Sequence, residues 1–306
     1  MVSYLATAGF FVVTVSCMVS GCADDAVPPA FDASRVEAHV VVQCEFGPRV
    51  PGTAARDSAA SYIARSLEAF GAQVNVQAFE IPDPYGEGTL RIVNVMGSFA
   101  QDRSKRVMLA AHYDSRPRSD QEETDSLAAL PVPAAIDGAS GTGILLEMAR
   151  LLGEAAPGDV GVDLVFFDGE DYGKQDDLEH YLIGSTYFAA NLQGYRPRCM
   201  ILLDMIGGVG TRIAREGYSR TNSPALTDEL FRRAEVLGLN YFNPIDGPAI
   251  YDDHVPFIRA GIDAVDLFAY DYIHWHTTRD TPDKLDLDLV DQVGRLLVDF
   301  LYDFPY

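Results

Sequence analysis

Residues 106–115 read RVMLAAHYDS, residues 137–152 read DGASGTGILLEMARLL and residues 162–171 read VDLVFFDGED. The first and third open with apolar runs of strand length, and the second carries the spacing of an apolar helix face. Strands that are apolar almost throughout present no face to water, so they belong inside a sheet that is covered on both sides. A helix between two such strands makes them parallel neighbours. Working outward, helical spacing covers Asp32 to Glu45 and Ala54 to Phe70, with Gly71 as a helix stop. Gln73 to Ile81 and Thr89 to Val95 read as strands. Beyond the quoted runs come a helix around Ser185 to Asn191, a strand at Cys199 to Met205 and a helix at Ser223 to Leu237. A strand at Ala264 to Phe268 and a helix at Leu287 to Tyr302 complete the pattern. The expectation is an α/β fold: a single three-layer domain over residues 32–306, with a central mixed, largely parallel sheet flanked by helices. Two long stretches, 116–133 and 169–182, read as non-helical and come shortly after strands.

The chain has 306 residues, 48% hydrophobic and 22% charged, which suits a globular protein with a sizeable core. Its net charge of −22 sets 45 acidic residues against 23 basic ones, of which only Lys105, Lys174 and Lys284 are lysines. Such a surface repels phosphates, which excludes nucleic acid as a partner. It would suit a cationic ligand such as a peptide amino terminus, although solubility or adaptation to salt explains the charge equally well.

Leu5 to Ser20 is almost continuously apolar and is followed by small residues and by Asp24 and Asp25, the pattern of an export signal. Val19-Ser20-Gly21-Cys22 resembles a bacterial lipoprotein processing box, which would place a lipid anchor on Cys22. No basic residue stands near Met1, and a plain cleaved signal peptide or a retained anchor are the alternatives. Residues 1–22 are thus read as signal and processing box, and residues 23–31, with two prolines and two aspartates, as an exposed tether. The expected location is outside the cytoplasm, as an anchored lipoprotein or a periplasmic or secreted protein. There a disulfide between Cys44 and Cys199 would be permitted, but the apolar neighbours of both suit buried thiols.

Polar clusters recur at the carboxyl ends of the strands, where open α/β sheets form their ligand sites. His112 and Asp114 close the 106 strand, Asp137 opens the next helix, Glu170 and Asp171 close the 162 strand, and Asp204 closes another. Near the C-terminus come Asp252-Asp253-His254 and Trp275-His276-Thr277. Singly, an Asp before Gly is a turn or a helix cap, and a His beside Trp is a packed imidazole. Together, carboxylates and imidazoles at successive strand ends are the donors that zinc takes, and a catalytic zinc keeps one position for water or substrate. Adjacent Glu170 and Asp171 add a division of labour, with one carboxylate on the metal and its neighbour free to carry a proton.

The ordered run HYDS, DGASG, FFDGED, LLDMIG, DDHVPF and WHT resembles the zinc-dependent exopeptidase family and, within it, the animal-type glutaminyl-peptide cyclotransferases. GPRVPGT at 47–53 is similar to the family's entry segment, and the resemblance spans residues 32–306. It implies Asp137, Asp171 and His276 as zinc ligands and Glu170 as general acid and base. It further implies Asp204 and Asp252 as acidic partners of that base, and Trp275 as an aromatic wall of the substrate pocket. His254, in the same segment, is assigned to substrate binding in a supporting capacity. His112 and Asp114 match the motif that helps hold a second metal in the aminopeptidase relatives. Two positions depart from the animal enzymes. Asp171 stands where they have Glu, as in bacterial members, and Tyr172-Gly-Lys-Gln follows where they carry a pocket Trp.

The resemblance implies an intramolecular reaction on peptide or protein N-termini, in which the α-amine of an N-terminal glutamine attacks its own side-chain amide, giving pyroglutamate and ammonia with one Zn2+. The main alternative is a zinc aminopeptidase with two zinc ions, in which His112 and Asp204 help bind the second. A non-catalytic peptide-binding lipoprotein is a further alternative, weakened because a binding module has no use for Glu170.

Overall fold

The computed structural model describes Met1 and residues 28–305. The apolar signal segment, Cys22 and the first part of the expected tether lie outside the described residues. The rest of that tether is not free of the domain: Phe31 packs against the core, and Arg150 Nη2 donates to the carbonyl of Ala30 at 3.2 Å. Asp32 then caps helix α1 (Ala33–Glu45) through its carboxylate, which accepts from Ser34 N. Helix α2 (Ala54–Ala69) follows, capped by Thr53.

Strands β1 (Gln73–Pro82) and β2 (Thr89–Phe99) form an antiparallel hairpin, and β3 (Arg106–His112) enters the interior. A one-turn helix α3 (Asp125–Ala128) precedes α4 (Ala139–Glu154), β4 (Gly161–Phe167) and α5 (Ile183–Ala190). Then come β5 (Cys199–Asp204), β6 (Arg212–Arg215), α6 (Gly217–Asn222), α7 (Pro224–Val236) and β7 (Phe242–Asp246). Helix α8 (Val255–Arg259), β8 (Ala264–Tyr270) and α9 (Leu287–Tyr302) end the domain. The eight-stranded sheet has the order β1-β2-β4-β3-β5-β8-β6-β7. Its centre, β4-β3-β5-β8, is parallel throughout, whereas β2 on β4 and β6 on β8 are antiparallel, so the sheet is mixed as expected.

Both faces of the centre are dry. Val107, Leu109 and Ala111 of β3 face the side covered by α1, α2, α4 and α9, and Met108 and Ala110 face the side covered by α5 and α8. Burying both alternating sets is why the strand reads as an unbroken apolar run. Helix α4 lies close against β3 and β5 because Gly141 has no side chain there: a Cβ would stand 2.5 Å from the carbonyl oxygen of Leu203.

The structure adds elements that the sequence reading omits. Strands β6 and β7 and helices α6 and α8 have four to six residues each, too few to display a period. The stretch read as non-helical over 116–133 contains α3, and Leu178–His180 forms one 3-10 turn within the other. Cys199 is buried and Cys44 half-buried, and both are free thiols, so full burial holds for Cys199 alone. Among the described residues no helix is long and apolar enough to cross a membrane.

Candidate active site

Four neighbouring parallel strands end side by side, and each delivers polar residues to the same edge of the sheet. His112 ends β3, Asp204 ends β5, Glu170 and Asp171 follow β4, and the loop after β8 returns with His276. Asp137 arrives just before α4. It is placed by Gly138, whose φ of +105° and close approach to Asp114 O, 2.8 Å from a would-be Cβ, exclude a side chain. The carboxylate of Asp280 accepts from the amides of Ile136 and Asp137 at 2.9 and 3.1 Å and from the Tyr272 hydroxyl at 2.9 Å. The backbone that carries Asp137 is therefore fixed from the C-terminal loop.

Asp114 performs the same service for the β4 loop. Its two carboxylate oxygens accept from the amides of Glu170 and Asp171, at 3.1 and 3.3 Å. The far end of that loop is closed by two backbone hydrogen bonds, Leu182 N to Glu170 O and Ile183 N to Gly169 O. His276 has a left-handed backbone, φ +52°, the kind of local strain that functional sites retain. Its carbonyl accepts from Gln121 N at 3.2 Å.

These placements bring six side chains together. His276 Nε2 lies 3.4 Å from Asp137 Oδ2 and 3.3 Å from Asp171 Oδ2. His112 Nε2 lies 3.1 Å from Asp137 Oδ1 and 3.1 Å from Asp204 Oδ1, and its Nδ1 lies 4.0 Å from Glu170 Oε2. Two buried groups can each close on a metal ion, with ligand atoms within 4.8 Å of one another: Asp137 with Asp171 and His276, and His112 with Asp137 and Asp204. Their donors, carboxylate oxygen and imidazole nitrogen, fit zinc. Buried carboxylates gathered this closely need a cation, and the pKa values reflect that. Burial opposes protonation of His112 and His276, yet the surrounding carboxylates lift both well above the usual histidine range.

Glu170 is pushed well above the carboxylate range, chiefly by burial and then by the charge of Asp171. Burial and then Asp204 push Asp252 up to about 7. Glu170, Asp204 and Asp252 line one cavity of about 170 Å³ with Asp137, Asp171 and His276. Trp275, Tyr251, Ile250, Phe268, Leu178 and Tyr181 form its apolar wall and rim. Trp275 stacks on His276 at a centroid distance of 3.9 Å and is 42% exposed.

His254 differs from its expected role. It is fully buried, with Nε2 3.1 Å from Glu216 Oε2, and it does not line the cavity, so it cannot meet a substrate there. Glu216 also accepts from the amides of Tyr218, Ser219 and Ile250, which makes His254 part of the support for the 250–254 segment. The sequence reading did not single out Arg116, Asp120 or Asp280. The ordered spacing of Asp114, Arg116 and Asp120 immediately after a strand was the signal available for the first two.

A family model described as peptidase family M28 matches residues 94–301, which include every residue of this cavity. The chain belongs to peptidase family M28. Within the M28 fold, the solved structure of Bacteroides thetaiotaomicron glutaminyl cyclase is similar at 35% identity and a TM-score of 0.87, covering 91% of this chain and 100% of that one. A leucine aminopeptidase precursor from Bacteroides thetaiotaomicron matches at 36% identity and TM-score 0.87, over 91% of this chain and 99% of that one. Glutaminyl-peptide cyclotransferase of Bos taurus is 24% identical over 293 residues, 84% of this chain and 78% of its own length. The M28 assignment agrees with the family resemblance carried by the motifs and with the mixed α/β sheet.

Proposed function

We propose that this chain is a glutaminyl-peptide cyclotransferase, which converts the N-terminal glutamine of peptides to pyroglutamate and releases ammonia. The observation that carries the reading is Glu170 facing the same small cavity as Asp137, Asp171 and His276. Likeness over most of the chain to a glutaminyl cyclase supports it. Asp137, Asp171 and His276 would hold one zinc ion, which when bound supplies positive charge to the amide oxygen under attack. Glu170 accepts the proton of the α-amino nitrogen as that nitrogen bonds to the amide carbon, and hands it to the departing nitrogen. The ring closes, ammonia leaves and no water is consumed. Asp204 and Asp252 extend the acidic row beside Glu170 and help it to hold a proton. Trp275 walls the substrate in.

A second reading has an observation of its own, the buried group of His112, Asp137 and Asp204. With two zinc ions held by the two groups, Glu170 would take its proton from water, and the chain would be an aminopeptidase. Incubating purified protein with a glutamine-initiated and a leucine-initiated peptide separates the two. Loss of ammonia from the first with the second intact is expected; release of free leucine would establish the aminopeptidase.

We also infer export, from the apolar run Leu5 to Ser20 before Gly21-Cys22. Mass analysis of the chain from fractionated cells tests this: a mature N-terminus at Cys22 carrying lipid is expected, an unmodified cleaved chain or a membrane-bound chain retaining Met1 would limit the inference to export, and a cytoplasmic chain retaining Met1 would overturn it.

A further inference from the structure

The segment after β3 carries a charged pair, buried Arg116 and half-buried Asp120, that the roles above do not absorb. Arg116, 2% exposed, spreads its guanidinium over two carboxylates. Nη1 donates to Asp171 Oδ1 at 2.5 Å and to the Asp171 carbonyl at 3.3 Å. Nη2 donates to Asp120 Oδ2 at 2.5 Å and to the Tyr181 hydroxyl at 2.8 Å, and Nε also reaches Asp120 Oδ2, at 3.1 Å. The other oxygen of Asp120 lies 3.2 Å from His276 Nδ1. One guanidinium thus bonds Asp171 directly and holds Asp120 with its other oxygen beside Nδ1 of His276.

Two consequences follow from which atoms are engaged. Asp171 Oδ1 is taken by Arg116, so only Oδ2 faces Asp137 and His276. A carboxylate against Nδ1 of His276 favours the proton on that nitrogen and leaves the Nε2 lone pair directed at Asp137 and Asp171. The segment itself is stitched to the His276 loop, by Gln121 N on His276 O and by Glu122 Oε1, which accepts from Thr278 N at 2.9 Å and its hydroxyl at 2.6 Å.

We propose that Arg116 and Asp120 form a positioning clamp that presents Asp171 to zinc through a single oxygen and His276 through Nε2. The proposal rests on the zinc reading of the site, and not on which reaction the site performs. Lysine at 116 would keep the charge but could not grip two carboxylates with one planar fork.

The test measures metal binding by the full chain without substrate. Zinc affinity is read by competition with a chromogenic chelator, and site geometry by the visible spectrum of the cobalt(II) form. In Arg116→Lys and Arg116→Met the zinc affinity is expected to fall roughly 10- to 100-fold, as for other partners of metal ligands. The cobalt(II) bands of Arg116→Met are expected to weaken as Asp171 turns both oxygens to the metal. Asp120→Asn, which leaves Arg116 in place, gives a second reading of the same affinity if either Arg116 variant does not fold by circular dichroism. Wild-type affinity and an unchanged cobalt spectrum in the folded variants would overturn the clamp while leaving the zinc site standing. Failure of the wild-type chain to bind zinc would overturn both. An aminopeptidase outcome with peptides touches neither.

Discussion

His39 makes one contribution to the acid stability of this domain calculable. It sits on α1, with Nδ1 2.6 Å from the Tyr62 hydroxyl of α2, and packs beside Gly143 of α4, the helix whose start follows Asp137. Burial, with a smaller contribution from Arg35, lowers its pKa from 6.5 to about 4. A histidine whose folded pKa lies below its unfolded one takes up a proton more readily when unfolded. Stability is then fully present above pH 6.5 and is lost as pH falls through 6.5 towards 4. With these two values, linkage gives a loss of about 2 kcal/mol at pH 5 and about 3 kcal/mol below pH 4. Replacing the imidazole by a ring that cannot titrate, His39→Phe, removes that slope at the cost of one hydrogen bond to Tyr62, about 1 kcal/mol at any pH. Urea unfolding of both proteins at pH 7.5 and pH 5.0 isolates the effect, because all carboxylates are common to the two. The wild type is expected to lose about 2 kcal/mol more than the variant between the two conditions. Equal losses in both would show that the imidazole stays as protonatable in the fold as in the unfolded chain, and the reasoning from burial would fail.

Three further substitutions address the site and its support. Glu170→Gln is expected to retain metal, measured by elemental analysis, while turnover of a glutamine-initiated peptide falls by roughly 10²- to 10⁴-fold, the range for loss of a general acid and base. Trp275→Ala should raise KM roughly 2- to 10-fold in steady-state assays, since an aromatic contact is worth about 0.5–1.5 kcal/mol, with zinc content unchanged. Gly141→Ala forces a Cβ to within 2.5 Å of the Leu203 carbonyl oxygen and 3.0 Å of Ala111 Cβ. Calorimetry should show a lower Tm, corresponding to a loss of about 1–3 kcal/mol from overpacking.

What the sequence revealed was whatever leaves a period or a motif. β3, α4 and β4 could be read because their apolar spacing extends over at least a full strand or several helix turns, and those elements place the site. Asp137, Glu170, Asp171 and Asp204 could be read because each sits beside a strand end or a helix start, and His276 because it stands in the Trp-His-Thr motif. Short β6 and β7 left no period. Arg116, Asp120 and Asp280 act on residues distant in the chain, 144 positions away in the case of Asp280 and Ile136, and although the spacing after the strand could flag Arg116 and Asp120, nothing local names such a partner. His254 shows the opposite failure. Its motif was plain, but the motif could not tell a side chain facing the cavity from one turned inward onto Glu216.

The paired clips around the β4 loop divide this part of the protein into two kinds of real estate. Glu170 and Asp171 are held at the loop's entrance by Asp114, and the exit is tied back to Gly169 and Glu170 by Leu182 and Ile183. Residues 173–180 lie between these clips, tied to Tyr85 through Asp177 and the Lys174 amide, and contribute Leu178 to the rim of the cavity. A substitution at Leu178 alters the rim without touching a clip that holds either carboxylate, so the peptide preference of the rim can diversify while the reacting centre stays the same.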